Sequence, residues 1–283
     1  MSKRKVAARL WAAYFLTVLS LFGVQCLAQA ETAKNSIRVA VATNFVTTLK
    51  TLSEDFASLD NSKILISAGS TGKLYAQIRQ GAPYDIFLAA DQQRPQLLEQ
   101  HGLTVTNSRF TYANGALVLW RPNRVRGFTT KGEESQTGQR AQIRQWLAGA
   151  SSIALANSRL APYGFAAEEV LHNLKITKSV SQRRVTGENI GQTFSLVATG
   201  NATLGFVAAA QILELSQPVA TYLTIPRELH SPILQDAVQL KFGVNNQAAA
   251  RFMQYLKSTR AKKIIQKAGF LAAKTTQSTN LGP

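Results

Sequence analysis

The stretch Ser67–Asp91 reads SAGSTGKLYAQIRQGAPYDIFLAAD and follows the apolar run Ile64-Leu65-Ile66. Ile64–Ser67 has the composition of a strand, and Gly69, Ser70, Thr71, Gly72 and Lys73 crowd the turn after it. Leu74 and Ile78 then recur at helical spacing, and Gly81-Ala82-Pro83 stops that helix. Tyr84–Ala90 is apolar enough for a buried strand; Asp91 is placed to cap the next helix and Gly102 to end it. Short apolar runs alternating with amphipathic helices are the pattern of parallel β-α-β units. This stretch therefore predicts an α/β fold.

The same alternation extends outward. Upstream, Ile37–Ala42 reads as a strand, and Val46, Leu49, Leu52 and Phe56 mark one face of a helix. Downstream, Phe110-Thr111-Tyr112 and Leu117–Trp120 are extended segments that carry the chain into a second lobe. There Ile153-Ala154-Leu155 and Leu204–Val207 read as strands. One helix runs through Ala166, Val170, Leu171 and Leu174, another through Ile190, Phe194 and Val197. Ala237–Phe242 and two helices bearing Phe252, Tyr255, Leu256, Ile264 and Ile265 then return to the first lobe, leaving two crossing strands as a hinge. The expected division is 31–114 and 233–273 for the first lobe, 115–232 for the second, and a disordered tail over 274–283.

Residues 1–30 belong to targeting. Lys3, Arg4, Lys5 and Arg9 form a basic head, an apolar stretch runs from Leu10 through Leu27, and Ala28-Gln29-Ala30 reads as a cleavage site. The apolar run is barely long enough for a membrane anchor, and a small-residue motif sits where a charged stop is expected. Cys26 invites a lipoprotein reading, but Gln25 stands where a small residue is expected. Cleavage removes the one cysteine in the sequence, and with it any disulfide or thiol chemistry. It also takes four positive charges and no negative one from a net +17, leaving +13. Lys and Arg are scattered, without the dense runs of a nucleic-acid-binding arm, so the charge suits a solvated surface that speeds the approach of anions. Thr129–Gln139, TTKGEESQTGQ, reads as a surface loop.

Four places share one geometry, a strand ending in a polar turn that begins a helix: Thr43-Asn44, Ser70-Thr71-Gly72, Pro162-Tyr163-Gly164 and Asn189-Ile190-Gly191. In open α/β sheets ligands sit beyond the carboxyl ends of strands, where helix N-termini offer unpaired N–H groups to an anion. Taken singly, Thr43 and Thr71 also fit plain N-caps, Tyr163 a partly buried aromatic and Ile190 a core residue. The spacing of Gly69 and Gly72 and the Leu74 after the lysine exclude a P-loop, and no G-x-G-x-x-G occurs. His101, His172 and His230 are isolated, Asp85 and Asp91 flank a strand, and no G-x-S-x-G is present, so catalysis lacks a candidate and no cofactor is expected.

VAVATNF (Val39–Phe45), SAGSTGKLYAQIRQGAPYDIFLAAD, RFTYANGALVLW (Arg109–Trp120), APYGFAAEEVL (Ala161–Leu171), ENIGQTFS (Glu188–Ser195) and LGFVAAAQI (Leu204–Ile212) closely resemble the periplasmic molybdate-binding proteins of ABC transporters, in the same order. The resemblance covers about Ile37 to Phe270. It implies the two-lobed type II periplasmic binding protein fold, with mixed sheets, flanking helices and a two-strand hinge, closing over one oxyanion. It further implies a monomer that captures molybdate, and tungstate with it, and delivers it to an inner-membrane permease. The ligand positions it carries over are Thr43, Asn44, Thr71, Tyr163 and Ile190, holding the ion through its oxygens with no protein–metal bond. Thr71 stands where many members have serine, and Ala208 where some have a second tyrosine. Lys73 matches no ligand position. A sulfate binder and the anion-sensing domain of a DNA-binding regulator are the rival readings; the signal peptide and the lack of a helix-turn-helix speak against the second.

Overall fold

The computed structural model describes residues 36–122, 136–215 and 222–272. The leader with Cys26, most of the polar stretch 129–139 and the tail 274–283 lie outside them. Two five-stranded mixed sheets organise the chain. The first has the order β2-β1-β3-β10-β4, formed by β1 (Ser36–Ala42), β2 (Lys63–Gly69), β3 (Ile86–Leu88), β4 (Phe110–Gly115) and β10 (Ile233–Gln239). The second has the order β7-β6-β8-β5-β9, formed by β5 (Leu117–Trp120), β6 (Ile153–Ala156), β7 (Arg184–Gly187), β8 (Leu204–Ala208) and β9 (Tyr222–Thr224).

In the first sheet β1 lies parallel to both β2 and β3, while β10 runs antiparallel to β3 and β4. The period of two sorts its side chains. Ile37, Val39 and Val41 pack with Phe45, Leu49 and Leu52 near α1 (Val46–Ala57), and with Phe252 and Leu256 of α9 (Gln247–Lys257) and Ile265 of α10 (Thr259–Lys267). Ala40, Phe87 and Ala89 face the other way, onto Leu74 and Ile78 of α2 (Thr71–Arg79) and Leu98 of α3 (Gln93–Gln100). The helices are thus split over the two faces because the sheet is apolar on both.

The second sheet is built likewise. Leu117, Leu119 and Leu155 pack on α4 (Gln136–Gly149) and α5 (Pro162–Asn173), whereas Val118, Trp120 and Val207 meet Val197 of α7 (Ile190–Ala198) and Ile212 of α8 (Ala209–Leu213). The short α6 (Thr177–Val180) leads into β7. Between the sheets the chain passes once from Gly115 through Ala116 to Leu117 and once from β9 through a 3-10 turn at Arg227–Leu229 into β10. No helix among the described residues is long and apolar enough to cross a membrane.

Several elements differ from the sequence reading, which named neither β9 nor the short helices α6 and α8. The strand expected at Ala237–Phe242 lies at Ile233–Gln239, because Gln235, Asp236 and Gln239 interrupt the apolar pattern yet are buried with partners. The helix α4 begins inside the polar stretch read as a loop, at Gln136, and its stripe Ile143, Trp146 and Leu147 is fully buried. The edge strand β7 went unread, since only Gly187 of its residues is buried.

Candidate functional site

The four polar turns meet. β1 ends in a 3-10 turn over Thr43–Phe45, β2 ends at Gly69 before α2, and Pro162 and Ile190 open α5 and α7. Thr43, Asn44, Thr71, Tyr163 and Ile190 all line one pocket, together with Ser70 and Asn189. Its cavity measures about 10 Å³, far smaller than the usual organic ligand pocket. Every side chain lining it is neutral. Three helix N-termini converge there, each with a positive dipole end and N–H groups beyond the reach of its own carbonyl ladder.

At α7 the first-turn donors can be followed one by one. The Gly191 N–H donates to Thr43 Oγ1 (3.1 Å), Gln192 N–H to the Asn189 side chain (2.9 Å) and Thr193 N–H to the Asn189 carbonyl (3.1 Å). Among the described residues this leaves the Ile190 N–H without an acceptor. At α2 the Gly72 N–H crosses to the Leu160 carbonyl (2.9 Å), so this turn is tied to the second lobe. Thr71 Oγ1 accepts from Ala90 N–H (3.1 Å), which leaves its proton to donate. Lys73 is 59% exposed and pairs with Glu188, at 3.8 Å, on the surface.

Thr43 bridges the lobes. Besides accepting from Gly191 it donates to Asn189 Oδ1 (3.2 Å), and Arg94 adds a bond to the Arg159 carbonyl (2.7 Å) nearby. These contacts hold the lobes against each other around the pocket. Tyr163 is 1% exposed, and burial pushes its phenol well above the ordinary value, so it stays protonated and able to donate. Asn44, equally buried, turns its amide to Gln235 Oε1 (2.9 Å) on β10. The sequence reading offered the Asn44 side chain to the ligand; one of its two amide protons is committed to the hinge strand instead.

Two residues were not among the expected ligand positions, although Ser70 lies in one of the four expected turns. Ser70 is 3% exposed, lines the pocket and caps α2 without a side-chain bond, and its hydroxyl has no partner among the described residues. A serine before a helix reads as a plain cap, so only its orphaned hydroxyl reveals it. Gln235 sits far along the chain in a strand whose polar residues hid it.

Residues 37–271 match the family described as bacterial extracellular solute-binding protein. The molybdate-binding protein ModA of Azotobacter vinelandii is 39% identical over 248 residues, which cover 87% of this chain and 92% of that protein. ModA of Rhodobacter capsulatus is 36% identical over 239 residues, 84% of this chain and 89% of its own. The solved periplasmic molybdate-binding protein of A. vinelandii superposes with a TM-score of 0.75 at 36% identity, covering 84% of this chain and 100% of that one. That fold likeness and a match over nearly all described residues agree with the two-sheet architecture and the strand-end pocket: this chain belongs to the bacterial extracellular solute-binding proteins.

Proposed function

We propose that this protein captures molybdate, and tungstate with it, in the periplasm and delivers it to an inner-membrane ABC permease. The observation that carries this reading is a pocket of neutral side chains at three converging helix N-termini, between the two lobes. A tetrahedral dianion without acidic protons needs donors at every oxygen, and neutral donors to a charged partner form strong bonds. In this reading Thr71, Tyr163 and Ile190 supply a hydroxyl, a phenol and a backbone N–H. Thr43 and Asn44 supply mainly the backbone of the 3-10 turn, because Thr43 Oγ1 is engaged across the lobes and Asn44 with Gln235. Selectivity over sulfate then rests on pocket size, since these dianions request the same donors. Residues 1–30 would act as the cleaved leader and the mature chain as a monomer.

The reading is tested by titration calorimetry of the mature protein with molybdate, tungstate and sulfate. Molybdate and tungstate should bind far more tightly than sulfate, and saturating molybdate should raise the melting temperature, because an ion held by both lobes stabilises the folded form. Sulfate binding as tightly as molybdate, or a melting temperature indifferent to molybdate, would refute it.

Thr71 and Lys73 offer a sharper contrast. Thr71→Val should weaken molybdate binding about tenfold, the loss of one hydroxyl donor beside an available Ser70. It should also lower stability by about 1 kcal/mol, because the buried Ala90 N–H loses its acceptor. Thr71→Ser should restore both. Lys73→Ala should change the dissociation constant little at high salt and mainly slow association at low salt. A larger effect of Lys73→Ala at high salt would contradict the neutral-donor pocket.

A further inference from the structure

Below the pocket, the strand that returns from one lobe to the other carries a buried amide. Gln235 is 0% exposed. Its Oε1 accepts from Asn44 Nδ2 (2.9 Å) and lies 3.1 Å from the Tyr112 hydroxyl, whose one proton it shares with the Ala89 carbonyl (3.1 Å), and its Nε2 donates to the Tyr163 hydroxyl (3.2 Å). Asn44 comes from the turn after β1, Tyr163 from the start of α5 and Gln235 from β10. One amide therefore ties a pocket residue of each lobe to the segment that joins the lobes.

The direction of these bonds has a chemical consequence. A phenol has one proton. Where its oxygen already accepts from the Gln235 N–H, that proton is left to be given elsewhere, and Tyr163 lines the pocket. A glutamine can do this because it carries a donor and an acceptor on one rigid plane. The facing strand makes room for the approach: a Cβ at Gly115 would lie 2.2 Å from the Tyr163 hydroxyl and 2.8 Å from Gln235 Nε2. Any side chain there would drive the two apart.

We propose that Gln235 is a positioning residue for the anion site: by donating to the Tyr163 hydroxyl and accepting from Asn44, it aims the Tyr163 proton into the pocket and fixes both residues to the hinge. The inference rests on the oxyanion reading of the pocket, and it needs no contact between Gln235 and the ion. Gln235→Leu removes the amide, so the Tyr163 proton is no longer directed. Gln235→Glu keeps the shape but offers only acceptors when ionised, so the Tyr163 proton turns to the carboxylate and a negative charge lies beneath the site.

The experiment is calorimetry with sodium molybdate on wild type, Gln235→Leu, Gln235→Glu, Tyr163→Phe and the double variant Tyr163→Phe/Gln235→Leu, each first checked by thermal melting without ligand. Gln235→Leu should weaken binding about tenfold in the wild-type background and clearly less in the Tyr163→Phe background, where only the bond to Asn44 is left to lose. Gln235→Glu, the isosteric change, should bind worse than Gln235→Leu, the reverse of what a packing role would give. Equal losses from Gln235→Leu in both backgrounds, or Gln235→Glu binding like wild type, would overturn the proposal. If Gln235→Leu does not fold, the comparison of Gln235→Glu with wild type decides alone. Failure of wild type itself to bind molybdate would sink the oxyanion reading instead, which the same titration shows separately.

Discussion

Asp236→Ala should lower stability by about 1.5–3 kcal/mol, the usual worth of hydrogen bonding to a charged group, since the carboxylate is buried while its Arg109 partner is part-exposed. Asp236 is fully buried on β10 and accepts from Arg109 Nη1 (2.8 Å), Thr111 Oγ1 (2.7 Å) and Gln92 Nε2 (3.2 Å). Its main chain sits at the irregularity between β10 and β4, after Gln235, so these bonds hold the strand where the ladder itself is broken. Alanine would take the acceptor from the Thr111 hydroxyl and leave Gln92 Nε2 with Thr111 Oγ1 (2.9 Å) and Arg109 with Glu99 (3.0 Å) as remaining partners. Asp236→Asn keeps the shape and one acceptor and should cost less. Urea unfolding checks the pair: the midpoint should fall with an unchanged slope. A loss below about 1 kcal/mol for Asp236→Ala would mean that the cluster relaxes and contributes little.

Ile190→Pro should weaken molybdate binding roughly tenfold to a hundred-and-fiftyfold, equivalent to about 1.5–3 kcal/mol for a hydrogen bond to a charged group. Proline removes the one N–H that is left over at the start of α7, and the position tolerates it. Ile190 is the first helical residue, where proline is favoured, and Asn189 before it is already extended (φ −148°, ψ 171°). The side chain is buried at 3% exposure, so proline also loses packing, and Ile190→Val serves as the control that keeps the N–H. Calorimetry on both variants should find Ile190→Val near wild type. Equal weakening in the two would assign the loss to packing and remove the backbone donor from the site.

The α/β class, most strands and the four polar turns were legible because they depend on local rules. Apolar periods of two and of 3.6 reveal strands and helices, and glycine and proline mark where the elements stop. Gly81 and Gly102, read as helix ends, indeed adopt positive φ (87° and 66°). The turns could be named as anion sites before their meeting was known, since any helix start leaves N–H groups unpaired. Where local pattern and burial disagree, the sequence misled. β10 is buried although polar, and α4 starts in a polar run although its later turns are apolar.

What the sequence by itself determined, then, was which segments form most of the elements and which of their ends carry donors. What only the tertiary structure decided was where each donor goes. Thr43 and Asn189 stand 146 residues apart, Asn44 and Gln235 191 apart, and Tyr163 and Gln235 72 apart. The physical reason is that a hydroxyl or amide in a turn has the same local pattern whether it caps its own helix, bridges to another lobe or faces a ligand. Hydrogen bonds act over about 3 Å and discriminate by direction, so the choice among these fates is made only when packing brings distant segments together.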